Sequence, residues 1–466
     1  MTININTGSV VGLGMPEKAM LDALIATYNA HAYKNEQKQK YYEGQISLAS
    51  VNLGLALPNG LQRLEIGCAW GAKCVDVLAA RSMFDGFVGE NGETPAGLKK
   101  LVADNRLLVE YGKACRDELK LGCTFATLSA DPVIGCRIRF HSPSSAAARW
   151  DGEKGRIAYG MAIIDTAPDN TSDGTWSPSH INLYTDDFIV VLQRINGNIW
   201  RADYHSHRMG RPMMEPLIWN ATSGKPFGRS RIKEPVRRLI DGYVRTMANA
   251  SIALEFATSP QKYLLGVDDS QYEAMTADKF KQYVGSILTA TTNPDTAEKP
   301  TFGQLPQGTL TPHVEQLRML ATQFSAATGL PVTDTGVVND ANPTSSDAIE
   351  AQTKTLVGLA QHLNGGNAEP LRMIALMAQA VAGSTTIEGL SDAQRDVLAH
   401  FKNPAMPSIA VTADAAIKIA TARPGFASTD TFLEMTGFDQ AEIRRIRAQE
   451  ARARGIVLAD ELAAEV

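Results

Sequence analysis

The feature that most constrains this chain is a helix, a break and a second helix between Pro312 and Leu363. Thr311-Pro312 offers a capping hydroxyl followed by a proline at the first helical position, and Val314, Leu317, Leu320, Phe324 and Ala327 then recur at helical spacing. Gly329-Leu330-Pro331 stops that helix. A polar, β-branched run follows: Val332, Thr333, Asp334, Thr335, Gly336, Val337, Val338, Asn339 and Asp340. Asn342-Pro343 ends the run, and Thr344 with Asp347 three residues on resembles a capping box. Ile349, Thr353, Leu356, Val357, Ala360 and Leu363 give the second helix its apolar face. Two well-signalled helices around a fifteen-residue loop at 330–344 suggest a loop presented to something. The plainer alternative is the surface loop of an ordinary helical hairpin. Gly336, in the middle, lets the chain turn without steric cost.

Composition bounds what surrounds this hairpin. A chain of 466 residues exceeds what one core supports, so about two to four domains are expected. Apolar content of 44% and charged content of 20% are those of a soluble globular protein. A net charge of −5 gives no global attraction to nucleic acid, so any DNA contact must be local or indirect. The first residues, MTININTGSVVGLGMPE, lack the basic-then-apolar order of a signal peptide, and no apolar run approaches the roughly 18 residues that span a bilayer. The five cysteines (Cys68, Cys74, Cys115, Cys123 and Cys136) are odd in number and form no CxxC pair, so reduced thiols in a cytosol-like compartment are expected.

In chain order, helical spacing covers residues 16–55 (Met20, Leu21, Leu24, Ile25, Tyr28), with Tyr41-Tyr42-Glu43-Gly44-Gln45 closing it, then 66–83 and 95–110. Within the second of these, Gly67-Cys-Ala-Trp-Gly71-Ala72-Lys73-Cys74 nearly spells a phosphate-cradling loop. That loop needs glycine before the lysine and Ser or Thr after it, and here Ala72 and Cys74 stand there, so a nucleotide site is rejected. Alternating runs between turn signals make residues 120–220 a β-rich block. Asp203, His205 and His207 invite a metal reading, but no further ligand is evident and a structural polar cluster is the plainer reading. A helix near 230–250 sets Ile232, Val236, Leu239, Ile240, Tyr243, Val244 and Met247 on one face. Arg229, Arg231, Lys233, Arg237, Arg238 and Arg245 stand on the other, against Glu234 and Asp241, with Pro235 marking its start or a kink. Residues 252–311 read as a short mixed module: apolar runs at Ala253–Ala257 and Tyr263–Val267, then a small helix from Ala277 to Leu288. Gly365-Gly366 and Pro370 interrupt a long helix that continues through Val381, and short helices end the chain, the last of them basic. The expected class is α+β, predominantly helical.

Five stretches in this order resemble the portal proteins of tailed double-stranded-DNA bacteriophages, in the branch common among phages of actinobacteria. They are Tyr41–Gly44 with the Trp70–Phe87 segment, Tyr204–Pro216 and Pro226–Ile232 with Ser259–Gln261, then Thr328–Pro331 with Asn342–Ile349, and Asn403–Ser408 with Ala413–Lys418. Together they reach from about residue 20 to 450. The resemblance implies a portal-type fold with wing, stem, clip and crown regions. It implies a ring, usually of twelve subunits, through which double-stranded DNA is threaded by a separate packaging ATPase (terminase). It further implies contacts with the major capsid protein and a head–tail adaptor, at one vertex of a virion assembled in the host cytoplasm. By position, residues 1–229 would hold the N-terminal helices and the β-rich wing, 230–255 and 312–329 the stem, and 256–311 the clip. Residues 330–344 would be the channel loop, 345–410 the kinked wing helix and its return, and 411–466 the crown.

The charge pattern is consistent with a conduit rather than a DNA-binding site. Each phosphate neutralised by Lys or Arg strengthens binding through counterion release, and the 330–344 loop carries Asp334 and Asp340 but no Lys or Arg. Arg231, Lys233, Arg237, Arg238 and Arg245 are candidates for pairing across a subunit interface with acids such as Glu315. No catalytic constellation, cofactor or resident metal is expected. Two other readings stand beside this one: a metal-dependent hydrolase using His205, His207 and Asp203, and a ring-forming head–tail component without a channel.

Overall fold

The computed structural model describes residues 2–46, 66–89, 92, 94–168, 176–196, 199–258, 262–265, 301–304, 309–337, 346–405, 409–438 and 442–452. The chain divides into two compact units, Met1–Pro404 and Ala405–Val466.

The larger unit opens with strand β1 (Val10–Val11) and α1 (Met15–Glu43). The αL residue Gly44 (φ 71°) ends α1, and its amide donates to the Lys40 and Tyr41 carbonyls. Then come α2 (Trp70–Ala79), β2 (Phe84–Gly89), α3 (Ala96–Asp104) and α4 (Leu107–Leu121). The single helix expected over 95–110 is thus two, divided at Arg106, a non-glycine residue at φ 49°. Strands β3 to β10 follow: Cys123–Asp131, Gly135–His141, Ala146–Asp151, Arg156–Pro168, Trp176–Tyr184, Phe188–Asn196, Ile199–Ser206 and Met214–Ile218. The expected β-rich block is there as two sheets. One has the order β1-β9-β8-β7-β6-β5, with β1 parallel to β9 and the rest antiparallel; the other is β10-β3-β4.

Helix α5 (Glu234–Thr258) begins two residues after the first residue of its apolar pattern, Ile232, with Pro235 in the first turn, where a missing N–H is harmless, so Pro235 marks the start. It also runs on through Ala253–Ala257, which the sequence reading places as an apolar run in the separate 252–311 module. Strands β11 (Lys262–Leu265) and β12 (Thr301–Gln304) pair antiparallel, and α6 (Thr311–Thr328) follows. Thr311 lies inside α6 rather than capping it, because Leu310 holds the cap position; Gly329, at φ 71°, stops the helix as expected. The long helix α7 (Ser346–Ala382) continues unbroken through Gly365-Gly366 and Pro370. After α8 (Asp392–Arg395), strand β13 (Val397–Phe401) returns to pair with β2, a ladder that local pattern does not announce. The proposed helix at Ala277–Leu288 and the hydroxyl of the Thr344–Asp347 box lie outside the described residues.

Two cores hold this unit together. One face of the six-stranded sheet (Met161, Ile181, Leu183, Val190, Leu192, Trp200) closes on Leu21, Leu24, Ile25 and Tyr28 of α1. The larger core joins α2, α4, the three-stranded sheet, the near ends of α5 and α6, and α7. Each fully buried aliphatic side chain there contributes roughly 1.5–3 kcal/mol of transfer free energy, so these interfaces fix the layers. The smaller unit comprises α9 (Ile409–Ala422), α10 (Asp430–Met435) and a helix at 442–452; in it Arg447 joins Asp430 (2.7 Å) and Glu450 (3.0 Å). Among the described residues no helix is long and apolar enough to cross a membrane.

Candidate functional site at the base of the helix pair

Helices α5 and α6 pack side by side. Gly242 of α5 faces Leu320 of α6, and the start of α5 lies at the end of α6, so the two run antiparallel. Val236, Ile240, Val244 and Ala248 of α5, and Leu320, Ala321, Phe324 and Thr328 of α6, are buried. This 3.6-residue periodicity puts one stripe of each helix inward and leaves the charged faces outside.

The segment Pro226–Ile232 bolts the pair to the body. Phe227 packs edge-on against Phe125 and Trp150. Gly228 sits at φ 66°, where a Cβ would lie 2.1 Å from the Trp219 carbonyl oxygen, so only glycine fits. The Ser230 hydroxyl donates to the Lys120 carbonyl (2.5 Å) and accepts from the Ile232 amide (2.9 Å). Arg231 is buried: its Nε donates to the Cys74 carbonyl, its Nη2 donates to the Thr328 carbonyl (2.6 Å), and its guanidinium lies over the Trp219 ring. A cation at the last turn of α6 also complements that helix's dipole.

Beside it, Trp70 is stacked on Phe324 and tilted against Tyr243, each at 4.7 Å, and its Nε1 donates to the Thr335 carbonyl at 3.0 Å. That contact changes the picture of the 330–344 loop. Val332–Thr335 is a one-turn 3-10 helix docked on the body: Leu330, Pro331 and Thr335 are buried, Val332, Asp334 and Val337 partly so, and Thr333 and Gly336 are exposed. Gly336 ends the turn at φ 74°, a left-handed conformation that glycine adopts without steric cost. Val338, Asn339 and Asp340 lie outside the described residues. The first half of the segment is therefore not a free loop. An indole 265 positions away in sequence supplies the partner that holds it.

The basic residues separate in the same way. Arg231 precedes α5 and is buried on backbone carbonyls of its own chain, so it is not on the outward face. Arg237 is partly buried, bonded to Glu234 and over the Tyr41 ring. Arg238 is also bonded to Glu234 (3.0 Å) but is exposed, as are Lys233, Arg245 and Glu315. A structural role for part of such a charge run is invisible in sequence, because burial of the Arg231 side chain depends on α2 and α6.

The other two constellations resolve locally. Asp203 is 3.4 Å from Arg201, His205 is exposed, and burial lowers the pKa of partly buried His207. Among the described residues no three His, Cys, Asp or Glu side chains gather as a metal site would require. In the phosphate-loop look-alike, Gly71 opens α2 with its Cα pressed against the C-terminal turn of α1, where a Cβ would lie 1.9 Å from the Tyr41 carbonyl oxygen. Cys74 is buried and its thiol is pushed up to about 12. All five cysteines are free and buried.

No protein-family model matches this chain, and no curated protein matches it. Among solved structures, a chain from the virion of the native gene transfer agent (GTA) particle is similar at 12% identity and TM-score 0.44, over 79% of this chain and 90% of that one. A chain from the neck of the empty GTA particle, computed with C6 symmetry, has 14% identity and TM-score 0.45 over 85% and 99%. One from the neck of the native particle, computed with C12 symmetry, has 13% identity and TM-score 0.41 over 79% and 90%.

Proposed function

We propose that this chain is a portal subunit, forming a ring at one vertex of a capsid through which double-stranded DNA passes during packaging and ejection. The observation that carries this is the antiparallel pair α5/α6. It is joined beyond its far ends through the β11–β12 ladder and fixed at its near ends to a mixed α/β body by Arg231 and Trp70, with the long α7 following. A stem between a wing and a clip, as the sequence resemblance implies, needs that order of elements and a rigid base. The docked turn after α6 presents Asp334 and no Lys or Arg, which suits a surface that DNA slides past rather than binds. The partners of such a ring would be the packaging ATPase, the major capsid protein and a head–tail adaptor, all within a virion.

Electron microscopy of the purified chain tests this. Closed rings with a central hole wide enough for duplex DNA are the expected result. Discs without a hole would favour a head–tail component that conducts nothing, and a monomer at every concentration would reject the assignment. The chain is also proposed to have no enzymatic activity of its own. Lys73 stands on α2 behind a glycine whose role is steric, so no ATP hydrolysis is expected; turnover abolished by Lys73→Ala would show a nucleotide site after all.

A further inference from the structure

A buried polar cluster joins α4 to the middle of α7, and the portal assignment does not use it. Glu118 is fully buried, with Oε2 accepting from Asn367 Nδ2 at 2.8 Å. Asn367, also fully buried, places Nδ2 3.2 Å from the Tyr111 hydroxyl. Tyr111 in turn is 2.8 Å from Ser82 Oγ, which donates to Asn364 Oδ1 at 2.6 Å. Two acceptors are left over, Glu118 Oε1 and Asn367 Oδ1, both buried and both without a donor among the described residues. Asn367 already donates to one oxygen of Glu118, which is one of the two bonds an acid–amide pair makes. One proton on Glu118 supplies the other and satisfies both orphans.

Among the described residues no cation faces the carboxyl. The titratable groups around it are Tyr111 and Cys115 on α4 and Cys123 on β3, all raised by burial and therefore uncharged at neutral pH. Lys38 of α1 donates instead to the Leu121 carbonyl, and Arg231 to those of Cys74 and Thr328. An isolated carboxylate in such a place is costly, and the group neutralises instead. Burial accordingly pushes Glu118 up to about 8.

Asn364 and Asn367 flank the weakest turn of α7. Gly365 and Gly366 are exposed, and among the described residues a Cβ on either would meet nothing within 4 Å, so close packing there does not require glycine. Each costs a helix roughly 1 kcal/mol relative to alanine. Pro370 has no N–H to give the Gly366 carbonyl, which removes one more bond from the same turn.

We propose that Glu118 is a neutral carboxylic acid that donates its proton to the Asn367 amide oxygen, and that this pair locks α7 across residues 365–370, so that loss of the proton to solvent releases a hinge there. The sign follows from burial. The acid form is the one the fold favours, so the lock contributes in full below the ordinary glutamic-acid range, weakens as pH rises above it, and is lost as pH passes through about 8.

Hydrogen exchange of the backbone amides at 362–374, corrected for intrinsic rates, tests the hinge in the full chain. Protection is expected to fall about tenfold or more between pH 6 and pH 9 in the parent and to stay level in Glu118→Gln, whose amide reproduces the acid's donor at every pH. In Gly365→Ala/Gly366→Ala the fall should shrink to below about threefold while the carboxyl still titrates. Independently of any variant, the infrared band of a protonated buried carboxyl should be present at pH 6 and disappear by pH 9. Level protection in the parent, an undiminished fall in Glu118→Gln or in the double alanine variant, or no protonated-carboxyl band at pH 6 overturns the proposal. If Glu118→Gln does not fold, the parent's exchange and infrared profiles decide it.

Discussion

Alanine at position 71 is expected to destabilise the larger unit by about 3 kcal/mol or more, whereas alanine at position 67 should be nearly neutral. Both glycines belong to the stretch that imitates a phosphate loop, and their environments are opposite. At Gly71 a Cβ would stand 1.9 Å from the Tyr41 carbonyl oxygen, 2.6 Å from its carbon and 3.2 Å from the Tyr42 Cα, all backbone atoms between two helices that cannot yield without separating. At Gly67 no described residue would come within 4 Å of the added Cβ. Because Trp70 shares that turn of α2, displacing the helix also pulls the indole away from Phe324, Tyr243 and the Thr335 carbonyl. Urea denaturation of the two variants reads the difference directly. A Gly71→Ala midpoint equal to the parent's would mean that α1 and α2 are not packed as described.

The second large effect concerns assembly. If the chain forms the proposed ring, reversing the three exposed cations together (Lys233→Glu, Arg238→Glu, Arg245→Glu) is expected to move the population from rings to monomers. Arg231 and Arg237 are left alone, since the first holds the joint and the second lies over Tyr41. Each surface pair contributes only about 0.5 kcal/mol, but a ring repeats it at every interface, and reversal turns attraction into repulsion of similar size. The folded monomer should be little affected, within about 0.5 kcal/mol for each exposed change. Mass photometry across a salt series separates the possibilities. Rings that persist unchanged in the triple variant would place this face in solvent or towards the channel, and a lowered thermal midpoint of the monomer would mean that the substitutions damaged the fold instead.

What the sequence made legible follows from the range of the interactions concerned. Helices α5, α6 and α7 are long and periodic, and Gly329 and Gly336 stand at turns that local sterics demand. The second half of α4 escaped because its inward stripe runs Leu107, Tyr111, Ala114, Cys115, Glu118, Leu119: a carboxyl in the buried row breaks the apolar pattern that identifies a helix. Val332–Thr335 read as an open loop because its residues favour extended chain and are polar in alternation. What docks it is Trp70, and nothing near 330 in the chain hints at that bond. Arg231 was grouped with an exposed basic face for the same reason. Its position in the run of charges is local information, and its burial is not.

The return of β13 to β2 has a consequence for synthesis. Val397–Phe401 pairs with strand residues 84–89, the Lys402 amide donates to the Met83 carbonyl, and Arg81 Nη1 donates to the Pro404 carbonyl at a separation of 323 positions. A nascent chain exposes β2 early and cannot cover it until nearly all of the first 404 residues have been made. Through that interval the β2 edge presents unpaired amides and carbonyls to any other strand, including those of neighbouring nascent chains. Translation of this protein therefore carries its aggregation hazard in the middle of synthesis rather than at the end, and chains released before residue 397 are the species a chaperone would have to hold.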